Sequence, residues 1–401
     1  MKARQTKLTR RAHHASFNGP PQWHAHRFVL STIAALSLGQ TTAPAPPTTQ
    51  SAPETRYSAP QTIRPGDLWP DDRGQHIQAH GGGIIRLADD TPGAPGPDGA
   101  AGFTYYWFGE ERSQSLPRSE RAVSCYSSKD LVHWTFRKDV LNVSGAEAPV
   151  LERPKVFYNA PTKTFVMYVH YDDAGYKLAQ VGVATCDTVD GTYTLTRHFR
   201  PLEHESRDIG QFIDDDGTPY LIFEDRPNGW HIASLSRDYL SVEKDICLVK
   251  MPMEGGAIVH FNGLYYAIGS HLTGWSPNPN LYATAKTLSG PWSEFKDIAP
   301  HAKNTYGAQS TMLLKVSGTQ ATTVIFMGDI WRPNAQWDSR YLWMPLELGD
   351  GKLTLPEPRE WTLDAKTGES LINSNAPAMT LPAARRGGRP NSAGTSPATG
   401  R

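Results

Sequence analysis

Cysteine is scarce in this chain: three residues among 401, Cys125, Cys186 and Cys247. Three are too few for a disulfide framework, and their spacing fits no metal motif. A surplus of either charge is also missing, because 40 Lys and Arg face 40 Asp and Glu. Nucleic-acid binding needs a basic surplus to displace counterions, so no nucleic-acid partner is expected. The chain lacks an apolar run of about 18 residues, and no membrane-spanning helix is expected. Its middle also lacks any amphipathic helical stretch of about ten residues. Present instead are 35 Gly, 32 Pro, 11 Trp, 16 Tyr and 13 Phe. Abundant turn formers with abundant aromatics favour an all-β protein. The composition leaves the oligomeric state open.

The two ends read differently from the middle. Lys2, Arg4, Lys7, Arg10 and Arg11 precede an apolar stretch from Phe28 to Gly39, and a Thr/Pro/Ala/Ser-rich segment follows. Basic, apolar and small residues in that order describe a signal peptide. Residues 1–40 are therefore expected to direct export to a secreted or periplasmic location, with 41–66 as a linker. A disordered N-terminal extension is the alternative. From Pro382 the chain is low in complexity, so 367–401 is expected to be an extension disordered at its end. The folded domain is expected at 67–366.

That middle repeats one order of runs five times. An apolar run opens on a polar residue, an aromatic-rich run follows, and two further short runs close the unit. The first unit reads HGGGIIRLA, FTYYWFGEE, AVSCYSSKD and VHWTFRK. The last reads AQSTMLLKV, TTVIFMGDI, SRYLWMPL and KLTLPEP. Asn262-Gly263 and Asp216-Gly217 suit the positive φ angles of hairpin turns. Four strands per unit, repeated five times, predict a five-bladed β-propeller. Asp214-Asp215-Asp216-Gly217 lacks the later glutamate of a calcium loop and reads as a turn. No metal and no cofactor is expected.

In a propeller, the first strand of each blade lines the central channel. The five openers are His80, Glu152, Asp208, Glu254 and Gln309. Three carboxylates and an amide then converge on one pocket. Clustered carboxylates push each other's pKa values apart, so that one stays protonated while another stays charged. Glycoside hydrolysis needs that division: a proton for the leaving oxygen, and help for an attacking water. A structural alternative pairs Glu152 with Arg153 and Asp208 with Arg207. Gln309 can also be read as a satisfied core amide, and His80 as a packed side chain. Trp275 and Trp331 are candidates for stacking on a sugar, whereas Trp107 is expected to pack.

The segments IQAHGGGIIRL, FTYYWFGEE, LERPKVFYN, SRDIGQF with DDDG, TGWSPN, AQSTMLL and FMGDIW resemble glycoside hydrolase family 43. Within that family, the resemblance is to the exo-β-1,3-galactanase subgroup. It implies an inverting enzyme on a five-bladed propeller, acting on a polysaccharide or oligosaccharide. It also implies roles: Glu254 as general acid, Asp208 as the residue that tunes and holds it, and Glu152 as a carboxylate near the reacting carbon. Gln309 would position the water in place of the aspartate base found in most of the family. Glu110 would bind substrate. Tyr126 in YSSKDLVHW and Asp338 in DSRYLWMPL, two further matching segments, are expected substrate contacts with Arg153 and Asn278, beside His80, Trp275 and Trp331. One departure stands out. Glu254-Gly255-Gly256-Ala257 replaces the usual Glu-Ala-Pro-Ala, and two glycines are expected to loosen the backbone beside the acid. Two rivals remain open: a family 43 arabinofuranosidase or xylosidase, and a catalytically silent glycan-binding propeller.

Overall fold

A computed structural model describes residues 61–89, 102–145, 149–383 and 385. The expected signal peptide and residues 41–60 of the expected linker lie outside them. A short strand, β1 (Gln61–Ile63), comes first. The first sheet holds β2 (His80–Ala88), β3 (Phe103–Glu110), β4 (Glu120–Ser128) and β5 (Thr135–Ser144). Next come β6 (Val150–Asn159), β7 (Thr164–Asp172), β8 (Gln180–Cys186) and β9 (Thr194–Phe199). The third sheet is β10 (Ile209–Ile213), β11 (Pro219–Asp225), β12 (Gly229–Leu235) and β13 (Val242–Val249). The fourth is β14 (Glu254–Phe261), β15 (Leu264–Ser270), β16 (Asn280–Ala285) and β17 (Lys296–Asp297). A fifth has β18 (Gln309–Ser317), β19 (Thr322–Ile330) and β20 (Arg340–Pro345). Strands within each sheet pair antiparallel in sequence order.

The fold is all-β, as expected, but the fifth unit differs from the repeat. Its fourth run does not join the fifth sheet. Instead β21 (Glu347–Gly349) and β22 (Lys352–Thr354) form a separate hairpin. Asp350 and Gly351, both at positive φ, make a local two-residue turn, and that turn captures the run before it can reach β20. The domain also reaches past both expected boundaries, 67 and 366. β1 pairs with β23 (Trp361–Asp364), which pairs with β24 (Glu369–Ile372). Ile63, Trp361 and Leu363 are buried, and Trp361 donates its indole N–H to the Trp343 carbonyl at 2.8 Å. Strands of three or four residues carry too little periodicity to be read from sequence.

Apolar faces meet between neighbouring sheets. Ile85 and Phe108 of the first pack with Val156 and Met167 of the second. Phe157 and Tyr168 pack with Leu221 and Phe223; Ile222 and Trp230 pack with Ile258 and Ala267. The largest cluster gathers Trp107, Trp134, Tyr341 and Trp343 where the first and fifth sheets approach. Each such fully buried side chain contributes roughly 1.5–3 kcal/mol. Trp107 packs there, as expected.

The first strands share a device at their entry. A β-bulge interrupts the ladder between His80 and Gly83, Glu152 and Lys155, Glu254 and Ala257, and Ser310 and Met312. In three of these the residue after the opener is left-handed: Gly81 at φ 59°, Arg153 at 53° and Gly255 at 65°. Bulges re-aim side chains and favour glycine at that conformation. Gly255 therefore does not loosen the backbone; it fits a bulge that recurs from sheet to sheet. An added Cβ at Gly255 would lie 2.9 Å from the Ser310 carbonyl oxygen.

Candidate active site

Glu152, Asp208, Glu254 and Gln309 line one cavity of about 240 Å³, together with Glu110, Arg153, Trp275 and Trp331. His80, Tyr126, Asn278 and Asp338 do not line it. His80 is fully buried, with Nδ1 2.9 Å from Asp329 Oδ1 and its ring stacked on Tyr341. It joins the first sheet to the fifth. Tyr126 points into the core, and its hydroxyl accepts the Gln78 N–H. Asp338 is buried among Arg332, Arg340 and Arg385, so its charge is consumed by an ion cluster. Asn278 bonds the His271 backbone at both ends and also Thr273. It clasps the loop that presents Trp275.

Arg153 lines the cavity and also organises its centre. Its Nη2 lies 2.8 Å from Asp208 Oδ2 and donates to Gln309 Oε1 at 2.5 Å; Nη1 donates to the Ser310 carbonyl. Its backbone N–H donates to Glu110 Oε1. Asp208 also accepts the Gly255 N–H at 3.0 Å, which ties it to the residue beside Glu254. The alternative partner, Arg207, reaches Asp172 and Glu205 instead.

Gln309 is engaged on every side. Oε1 accepts from Arg153 and from the Trp331 indole at 3.0 Å. Nε2 donates to Glu254 Oε1 at 2.9 Å and to Ser270 Oγ at 3.1 Å. Two donors facing one end fix which end is the carbonyl. Glu254 Oε1 therefore faces an N–H at 2.9 Å, and Oε2 faces a second, longer contact. That oxygen lies 3.3 Å from Arg226 Nη2.

Burial pushes Glu254 up to about 8, helped by the charges of Asp208 and Glu224, while Arg153 and Arg226 pull the other way. Burial alone would also raise Glu152. Contacts with His170, the Arg112 charge and the Tyr176 hydroxyl outweigh it and hold Glu152 at about 2. Glu110, enclosed and bonded by Arg112, is raised by burial. The pocket thus keeps one carboxyl neutral and another charged near neutral pH.

His170, Tyr176, Arg207, Glu224 and Arg226 also line the cavity, and sequence reasoning missed them. Strand register was the available signal. Glu110 pairs with His80, His170 with Glu152, Ser270 with Glu254 and Asp329 with Gln309. Glu224 donates its N–H to the Asp208 carbonyl. The end of every second strand therefore faces an opener. Glu110-Glu111-Arg112 and Glu224-Asp225-Arg226 repeat one acid–acid–Arg pattern at that place.

A neutral carboxyl and an ionised one around a small cavity, edged by two tryptophans, suit a sugar-hydrolysing site. The family model for glycosyl hydrolases family 43 matches residues 100–324. An exo-β-1,3-galactanase from Phanerochaete chrysosporium, solved with β-1,3-galactotriose, is 36% identical, with a TM-score of 0.70 over 78% of this chain and 71% of its own. The exo-β-1,3-galactanase from Clostridium thermocellum is 33% identical, with a TM-score of 0.68 over 78% of this chain and 68% of its own. No curated protein matches. The chain belongs to glycosyl hydrolases family 43.

Proposed function

We propose that this enzyme releases galactose from the non-reducing ends of β-1,3-linked galactan, by single displacement with inversion. The observation that carries the reading is the neutral Glu254 beside Asp208, in a chain similar to exo-β-1,3-galactanases in fold and sequence. A cavity of about 240 Å³ is small beside ligand pockets of roughly 300–1,000 Å³, as a site for one terminal sugar requires. Glu254 gives its proton to the glycosidic oxygen. Asp208 holds the backbone at Gly255 and keeps the acid neutral until the transfer. Water enters from the opposite face. Gln309 holds it when Trp331 releases one lone pair of Oε1; as the water oxygen bonds the anomeric carbon and the glycosidic bond breaks, the water's proton passes along that contact to solvent, from which Glu254 is protonated again. Glu152, clamped by His170, Arg112 and Tyr176, stays charged to bind sugar hydroxyls.

The same proposal has the five sheets close as a five-bladed propeller. Supporting it, β2 adjoins β6, β6 adjoins β10, β10 adjoins β14, β14 adjoins β18, and β18 adjoins β2. The silent-propeller rival rested on the glycines after Glu254 and on the missing first-blade aspartate; the bulge geometry removes the first of these supports.

Incubation with β-1,3-galactobiose, followed by NMR, tests the function. The α anomer of galactose should appear first, and Glu254→Gln should lower turnover by about 10²- to 10⁴-fold. On a galactoside whose leaving group needs no proton, the same variant should lose far less. Equal losses on both substrates, or no galactose from the wild type, would overturn the assignment.

A further inference from the structure

Outside the pocket, the third sheet carries a second constellation of side chains. Successive residues of a strand point to opposite faces. Glu224 lines the cavity, and Asp225, next to it on β11, faces away. There Asp225 Oδ2 accepts the Asn228 side-chain N–H at 2.8 Å and is approached by two imidazoles: His204 Nδ1 at 2.8 Å and His231 Nε2 at 3.3 Å. His204 follows the turn Pro201–Glu203, and His231 sits on β12. One ligating atom from each residue lies within 4.8 Å of the other two. Asp225 and His231 are buried, whereas the His204 side chain is 39% exposed, leaving a way in from solvent.

The second observation concerns the far side of His231. Its Nδ1 is buried and forms no hydrogen bond, although Asp245 Oδ2 lies 3.0 Å away. Phe223 stacks on the ring at 4.7 Å and holds it between the two carboxylates. A neutral imidazole has one N–H, so one of its nitrogens must turn a lone pair on an anion. A cation on the Nε2 side removes that conflict. It takes the lone pair, and Nδ1 keeps its proton for Asp245, the carboxylate–histidine–metal arrangement common behind ligating histidines.

We propose that His204, Asp225 and His231 bind a divalent cation of the zinc type, with Asp245 supporting His231 from behind. Two imidazole nitrogens and one carboxylate oxygen suit Zn²⁺ and its late transition-metal neighbours better than Ca²⁺ or Mg²⁺. The site faces away from the cavity, so its role is structural. It fastens the segment that runs into Arg207 and Asp208 to the strand end that carries Glu224 and Arg226, and so braces one wall of the pocket. The other constellation of this kind among the described residues, Asp214, Asp215 and His260, already holds a cation, since Lys315 Nζ lies 2.7 Å from Asp215 Oδ1.

Calorimetric titration of the chelator-treated full-length chain with Zn²⁺ tests the proposal, with Co²⁺ absorption as a second reading of geometry. One Zn²⁺ per chain should bind, and its melting temperature should rise with Zn²⁺. His204→Ala lies at the accessible edge, so its fold can be checked by circular dichroism. That variant should abolish both effects, and Asp245→Asn should weaken affinity about 10- to 100-fold. His260→Ala should change neither. Wild-type protein that takes up no Zn²⁺, which would leave protons alone holding the imidazoles, overturns the proposal. So does binding that survives His204→Ala, which would place the metal elsewhere, the N-terminal histidines included.

Discussion

The ionisation of Glu254 is balanced between opposing charges, and removing one from each side should move it in opposite directions. Asp208 and Glu224 raise it; Arg153 and Arg226 lower it. Because kcat/KM reports the free enzyme, its alkaline limb should fall near pH 8, where the acid loses its proton. Arg226 Nη2 lies 3.3 Å from Glu254 Oε2. At that separation an unscreened pair at an effective dielectric of 20 would be worth about 5 kcal/mol. The Arg226 side chain is 46% exposed, and solvent reduces this to roughly 0.5–1 kcal/mol. A cation favours the ionised carboxyl, so Arg226→Gln should raise the limb by about 0.4–0.7 pH unit. Asp208→Asn removes the anion with the larger effect on Glu254 and leaves Arg153 without its carboxylate. Its limb should drop by at least as much, whatever happens to the absolute rate. Profiles on β-1,3-galactobiose, whose leaving group needs the proton, measure both. Limbs that stay still, or that move together, would show that this carboxyl is not what titrates.

The same carboxyl should be visible in stability. Its raised pKa contributes stability that is complete below the ordinary 4.5 and is lost as pH rises through about 8. The melting temperature of Glu254→Gln relative to wild type should therefore climb between pH 5 and pH 9, and a flat difference would contradict the burial argument. Gly255→Ala should cost about 1–2 kcal/mol from the left-handed backbone, and more from the crowded Ser310 carbonyl. Gly263→Ala, also at positive φ but with open space around it, should cost less. Equal denaturant midpoints for the two variants would remove the crowding term.

Much of this was legible in the sequence because the repeat is built from strong local signals. Asn262-Gly263 makes the turn it suggests, with both residues at positive φ. Four of the five openers reach the cavity, because the position of a residue at the start of a first strand is a property of the pattern. Residues fixed by tertiary contact were harder to read. Tyr126 and Asp338 carry polar groups that suit a sugar, but Gln78 and Arg385 are distant in sequence from them, and nothing in the sequence marks Arg332 and Arg340 as the other partners of Asp338. Arg153 looked like a neighbour for Glu152, yet the bulge turns it inward to Asp208 and Gln309. The constellation of His204, Asp225 and His231 draws on separate elements, and no spacing rule gathers them.

The amide of Gln309 has a direction, and that direction is fragile. Hydrolysis of the side-chain amide would put an anion 2.9 Å from Glu254 Oε1, where an N–H now points. Arg153 and Trp331 would hold the new group in place and so preserve the damage. Preparations of this enzyme would then lose potency without unfolding or fragmenting, and the inactive molecules would separate from the active ones only as a more acidic band on isoelectric focusing.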